Sequence, residues 1–160
     1  MLGLAAQWLG VNQTQANSVA PILISEEQGL HKSTFCRMLM PPQLARYYSD
    51  NLKLTAQGNP ERLLAEMGLL NMDEFDKFGA QKMPLLKNLM QMSSLNICKA
   101  YQKNFRSLPR IASFIGTSNR TDLLCDPTGS RRFICIEAEH DIDCTGIEHS
   151  QIYAQLKEEL

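Results

Sequence analysis

Apolar runs that alternate with helical ones point to an α/β domain in three layers, with a mostly parallel sheet between helices. Three stretches carry this expectation. Val19-Ala20-Pro21-Ile22-Leu23-Ile24 is strand-like and runs into a polar loop, after which Phe35-Cys36-Arg37-Met38-Leu39-Met40 is helical. Gly68-Leu69-Leu70-Asn71-Met72 is a second short run, mostly apolar, closed by the adjacent acids Asp73-Glu74. Ile111-Ala112-Ser113-Phe114-Ile115 is a third, ending in Gly116-Thr117-Ser118-Asn119. Strands separated by helix-sized segments join as parallel neighbours through right-handed crossovers.

Leu4 to Leu9 is expected as a helix ahead of the first strand, followed by the polar connector Asn12-Gln13-Thr14-Gln15-Ala16-Asn17. Pro41-Pro42 stops the helix after the loop, because proline lacks the N–H and its ring clashes with the preceding turn. Ala45-Arg46-Tyr47-Tyr48-Ser49 is expected as a short strand. Asn59-Pro60-Glu61-Arg62 opens a helix with proline near its first position, running to about Met67. From Met83 to Met92, Leu85, Leu86, Leu89 and Met90 form a helical stripe for core packing. Phe133-Ile134-Cys135-Ile136 is a further strand. The last ten residues are helical but carry no stop signal, as expected of a chain cut from something longer. This divides the chain into a helix and connector (1–18), a core (19–140) and the start of a helical segment (141–160).

Between the first strand and its helix lies Gln28-Gly29-Leu30-His31-Lys32-Ser33-Thr34. Strand, loop, Lys-Ser, helix is the layout of a phosphate-binding loop. Its amides cradle a triphosphate, Lys32 reaches the outer phosphates and the Ser33 hydroxyl holds Mg²⁺. Such loops usually read G-x-x-x-x-G-K-[ST], whereas Glu26 and His31 occupy the two glycine positions here and Gly29 is the glycine left. Glycine suits the loop because it reaches positive φ, and histidine is among the other residues enriched there. The same residues also suit a basic helix start capped by Ser33 or Thr34.

An apolar strand ending in Asp73-Glu74 is what a Walker B site needs. Asp73 would hold Mg²⁺ through its water shell, and Glu74 would orient and deprotonate the attacking water. Acid pairs also start helices, so the pairing with the loop carries the weight. Asn119 ends the third strand where a γ-phosphate or attacking water could be sensed, since such sheets place ligands at the carboxyl ends of their strands. Asp126-Pro127-Thr128-Gly129-Ser130 then leads into Arg131-Arg132, either of which suits charge on a transferring phosphoryl group.

Taken in order, these residues resemble the virulence-associated protein E family. Its members are P-loop ATPases of phages, plasmids and other mobile elements, similar to superfamily 3 helicases and often joined to a primase. The resemblance runs from about Val19 to about Glu139. It is carried by Gln28 to Thr34, Tyr48-Ser49-Asp50, Asp73-Glu74, Phe114-Ile115-Gly116-Thr117-Ser118-Asn119 and Thr128-Gly129-Ser130-Arg131-Arg132-Phe133. It implies a P-loop NTPase fold of the superfamily 3 and AAA+ type, with ATP and Mg²⁺ held by the 28–34 loop. Lys32 and Ser33 would hold nucleotide and metal, Asp73 and Glu74 would be the Walker B pair, Asn119 a sensor, and Arg131 or Arg132 an arginine finger. It further implies a homo-oligomeric ring and a fused or partner primase. The departure is His31, where the family usually has Gly.

The hydrophobic fraction of 44% and charged fraction of 21% are those of an ordinary globule, so neither a disordered nor a fibrous chain is expected. No apolar run approaches the roughly 20 residues of a membrane span. Cys36, Cys98, Cys125, Cys135 and Cys144 make an odd count with no C-x-x-C pair, which suits reduced thiols in the cytoplasm rather than a disulfide framework or zinc site.

Net charge is −1, but its distribution is uneven: from Lys77 to Thr121 there is no Asp or Glu. Within that stretch Lys99, Tyr101, Lys103, Phe105 and Arg106 interleave cations with aromatics, the chemistry that grips single-stranded or forked DNA. By the resemblance, Lys99 and Lys103 sit on a DNA-gripping hairpin and face a central channel. An ATP-driven DNA motor is therefore the leading expectation. A nucleotide-binding regulatory module without turnover, motivated by His31 and Glu26, and a small-molecule phosphotransferase stand beside it.

Overall fold

Pairing around β1 (Ala20–Ile24) organises the chain. The computed structural model describes residues 1–11, 16–98, 105–120 and 130–160, without the side chains of Ala56, Ile97, Cys98, Phe105 and Ser130. β1 pairs in parallel with β6 (Ser113–Ser118) on one side and β7 (Phe133–Glu137) on the other. β3 (Leu69–Met72) lies beyond β6, and the two-residue β2 (Tyr48–Ser49) lies beyond β3. The sheet order is thus β2-β3-β6-β1-β7, all parallel, as the alternating pattern predicts. Pro21 is tolerated in a central strand because β1 meets β6 only from Ile22 onward, so its missing N–H removes no bond to β6.

Alternate residues point to opposite faces of the sheet, and both faces are covered. Ala20, Ile22, Ile24, Leu70, Met72 and Phe114 pack with Leu64 of α3 (Pro60–Glu66) and with Leu86, Leu89 and Met90 of α4 (Met83–Gln91). Leu23, Leu69 and Ile115 pack on the other face with Leu4 of α1 (Leu2–Leu9) and Cys36 of α2 (Lys32–Met38). α5 (His149–Glu158) joins that second face. Tyr153 stacks on Trp8 with ring centroids 5.7 Å apart, and its hydroxyl donates to the Leu39 carbonyl at 2.7 Å. His149 Nε2 donates to the Met38 carbonyl at 2.7 Å, so α5 satisfies carbonyls that the end of α2 leaves open.

Outside the sheet, β4 (Ser94–Cys98) and β5 (Phe105–Pro109) form an antiparallel hairpin. Arg110 secures its base. The side chain is 1% exposed and donates to the carbonyls of Met90 (2.6 Å), Ala112 (2.8 Å) and Asn17 (2.6 Å). Burial pushes this guanidinium down to about 10, which leaves it charged at neutral pH.

Several boundaries differ from expectation. Residues expected as the strand 45–49 are mostly a 3-10 turn (Pro42–Tyr47), with only Tyr48–Ser49 extended, because Pro42 starts a tight turn that consumes them. The helix expected from Phe35 starts at Lys32, with His31 rather than Ser33 or Thr34 at the N-cap. The strand expected over 111–119 begins at Ser113 and ends at Ser118, leaving Asn119 just past its end. Among the described residues no helix is long and apolar enough to cross a membrane.

Candidate functional site

Carboxyl ends of β1, β3 and β6 open into one polar cavity of about 420 Å³. It is lined by Gln28, Gly29, Leu30, His31, Lys32, Ser33 and Thr34 from the loop and α2, by Asp73 and Glu74 after β3, and by Thr117, Ser118 and Asn119 from β6. Segments far apart in sequence converge because the register sets Met72 and Ile22 beside Gly116. β1 and β6 end together at Ile24 and Ser118, and β3 ends two residues earlier, which places Asp73 and Glu74 beside Thr117 and Ser118.

The loop turns twice through the left-handed region, at Gly29 (φ 85°) and at His31 (φ 55°). Glycine reaches this conformation freely; a histidine there is strained and must be held by its surroundings. His31 Nδ1 lies 2.6 Å from Asp141 Oδ1, and Leu30 O accepts the Ile142 N–H at 3.4 Å, so the segment after β7 grips the loop from outside.

Lys32 turns inward and is only 7% exposed. Its ammonium donates to Ser25 Oγ, to the Glu27 carbonyl at 3.2 Å and to Asn119 Oδ1 at 3.0 Å, all uncharged oxygens. Burial pushes its pKa down, with the Asp73 carboxylate opposing that shift. A buried cation whose nearest partners are neutral is poised to accept an anion.

Asp73 Oδ1 receives two hydroxyl protons, from Ser33 at 2.7 Å and from Thr117 at 2.6 Å. Glu74 sits in the left-handed region (φ 52°) and its carboxylate pairs with Lys77 at 2.6 Å. Among the described residues no group of three His, Cys, Asp or Glu could hold a metal by itself. The Ser33 and Asp73 oxygens instead suit a hard cation that takes its other ligands from phosphate and water, the usual arrangement for Mg²⁺. Cys36, on the buried face of α2, is fully buried, and its thiol is pushed up to about 12 by burial and the Asp73 charge.

The structure therefore brings together Lys32, Ser33, Asp73, Glu74 and Asn119. Arg131 and Arg132 lie in the 3-10 turn Ser130–Arg132 before β7 and do not line the cavity. Arg106 is exposed on β5 of the hairpin, while Lys99, Tyr101 and Lys103 lie outside the described residues. Sequence reading missed Ser25, Thr117 and Asp141. No spacing rule marks them, although Ser25 directly follows β1 and Thr117 stands two residues before Asn119.

An α/β protein whose polar cavity gathers a lysine loop and an acid pair at the strand ends is thus defined. The chain belongs to the virulence-associated protein E-like domain family, whose model matches residues 10–160. No curated protein matches it. Among solved structures it is similar to the apo structure of the NrS-1 C-terminal region, at 22% identity and a TM-score of 0.58, covering 98% of this chain and 38% of that one. The A form of that apo region matches at 22% identity and a TM-score of 0.56, covering 98% of this chain and 37% of that one. At this identity the likeness concerns the fold. The chain spans less than two-fifths of the length of these neighbours.

Proposed function

We propose that this chain is the ATP-binding and hydrolysing motor domain of a replication-type DNA helicase or primase-helicase of a mobile element, built on a P-loop fold of the superfamily 3 type. The observation that carries the reading is Lys32, a buried ammonium facing a loop cavity with only neutral oxygens in contact. In the motor, Lys32 binds the outer phosphates, and the amides of residues 28–34 wrap the chain of phosphates. Ser33 and Asp73 would hold Mg²⁺, which would supply neutralisation of the phosphate charge. Glu74, released from Lys77, takes a proton from the attacking water as the water oxygen bonds to the γ-phosphorus and the bond to the leaving ADP oxygen breaks. Asn119 holds the γ-phosphate side of the site in register with Lys32.

Arg131 or Arg132 supplies the finger across a ring interface, which accords with their place outside this subunit's own cavity. Lys99, Tyr101, Lys103 and Arg106 grip single-stranded or forked DNA, a reading supported by the absence of acids from 77 to 121. The family resemblance supports a fused or partner primase.

A titration of MgATP against the protein and its Lys32→Ala variant tests the binding step. Loss of one charge-assisted contact is worth about tenfold or more in affinity. Equal affinity in both proteins removes the loop from the reading. Binding without turnover is the second reading, favoured by the strained His31 and the Lys77–Glu74 pair. Hydrolysis by the assembled protein, abolished by Glu74→Gln, excludes it.

A further inference from the structure

Three consecutive polar side chains at the end of β6 line the cavity and each has different partners. Asn119 accepts from Lys32. Ser118 donates to Asp76 Oδ1 at 2.9 Å and accepts the Arg120 N–H at 3.0 Å. Thr117 is buried, 4% exposed, and does two things at once. Its hydroxyl donates to Asp73 Oδ1 at 2.6 Å and accepts the Glu74 N–H at 3.4 Å.

A hydroxyl has a single proton, so donation to Asp73 leaves the lone pairs of Thr117 to accept from Glu74. The two contacts address different features of the acid pair. One orients the Asp73 carboxylate; the other holds the peptide of Glu74, whose φ of 52° is strained for a long side chain. Ser33 gives its own proton to the same Asp73 oxygen, which leaves its lone pairs for a cation. Both of these side-chain hydrogen bonds of Thr117 go to the acid pair, so it acts through the acids.

We propose that Thr117 is a positioning residue for the divalent-cation side of the nucleotide site. It sets Asp73 at the angle from which the cation's water shell is held, and it keeps Glu74 kinked beside it. The proposal rests on the nucleotide-binding reading above. Groups that orient a metal-binding carboxylate typically matter by about 10- to 100-fold in metal affinity when removed.

ATP affinity of the protein, measured across a Mg²⁺ series and in EDTA, decides the matter for wild type, Thr117→Val and Thr117→Ser. Valine keeps the shape and removes both hydrogen bonds. The expected result is a half-saturating Mg²⁺ concentration raised about tenfold in Thr117→Val, ATP affinity in EDTA within about twofold of wild type, and recovery in Thr117→Ser. Should the valine variant fail to fold, Thr117→Ala is read in the same way. An unmoved Mg²⁺ dependence overturns the role, as does an equal loss of affinity with and without Mg²⁺, which marks a general packing defect. Wild type that binds ATP in neither condition overturns the nucleotide reading itself, and the role of Thr117 with it.

Discussion

Lys32 Nζ and Asn119 Oδ1 meet at 3.0 Å, joining the loop after β1 to the end of β6. On the proposed ATP-binding reading, a γ-phosphate would displace or share this contact. Asn119→Ala is expected to lower ATP turnover by the assembled protein about a hundredfold, on the scale of removing one preorganised polar group from a reacting site. Nucleotide affinity should change far less, because Lys32 keeps Ser25 and Glu27 as partners. Turnover and equilibrium binding on the same preparation separate the two effects.

His31 carries backbone strain that its exposed pair with Asp141 offsets only weakly. Replacing it with glycine relieves the strain but lets the unfolded chain gain entropy, so His31→Gly should move stability by no more than about 1 kcal/mol. His31→Val places a β-branched residue at φ 55° and should cost about 1–2 kcal/mol. Denaturant titrations of the two variants check the contrast.

Gly116 is confined between neighbouring strands. A Cβ there would stand 2.7 Å from Ile22 Cδ1 and 3.2 Å from the Met72 carbonyl. The isoleucine tip can turn aside, but the carbonyl belongs to the β3 backbone. Gly116→Ala should therefore destabilise by about 1–3 kcal/mol, the range of overpacked cores. Its thermal unfolding midpoint reports this.

Arg110 presents the opposite case, a large polar group with its partners assembled around it. Arg110→Met relieves the desolvation of the charge but strands the carbonyls of Asn17, Met90 and Ala112. The stranded acceptors dominate, for a loss of about 2–4 kcal/mol. Arg110→Lys, with its donors on a single nitrogen, should fall between. Calorimetry or denaturant unfolding distinguishes the three proteins.

Much of this arrangement was legible in the residues themselves. The strands at 20–24, 69–72 and 113–118 are short, mostly apolar runs, and burial on both faces of a parallel sheet leaves that mark; the edge strand at 133–137 is apolar too, though Ile134 and Ile136 are exposed. Asn71, which weakens such a pattern, is nonetheless fully buried in β3, because its neighbours on both sides are apolar and paired. Asp73 and Asn119 could be picked out because each directly follows a strand, and Lys32 because Lys-Ser stands between a loop and a helix. Their supporting partners could not. Ser25, Thr117 and Asp141 owe their positions to the juxtaposition of strands and loops distant in sequence, and a hydroxyl or carboxylate has no periodicity to betray it. The 3-10 turn at 42–47 was missed for a related reason: two tyrosines after an alanine resemble a strand until the preceding prolines have fixed the path.

Both neighbours of β1 arrive late. Ile22 pairs with Gly116 on one side and Cys135 on the other, so the strand that leads into the loop has no sheet to join until most of the chain exists. During synthesis, the lysine loop is made early and assembled last. Such non-local pairing slows folding, since a long segment must be ordered before any contact rewards it. It also means that a chain not yet made through β6 and β7 cannot display a finished cavity, and a ligand that favours the finished state pulls folding to its end.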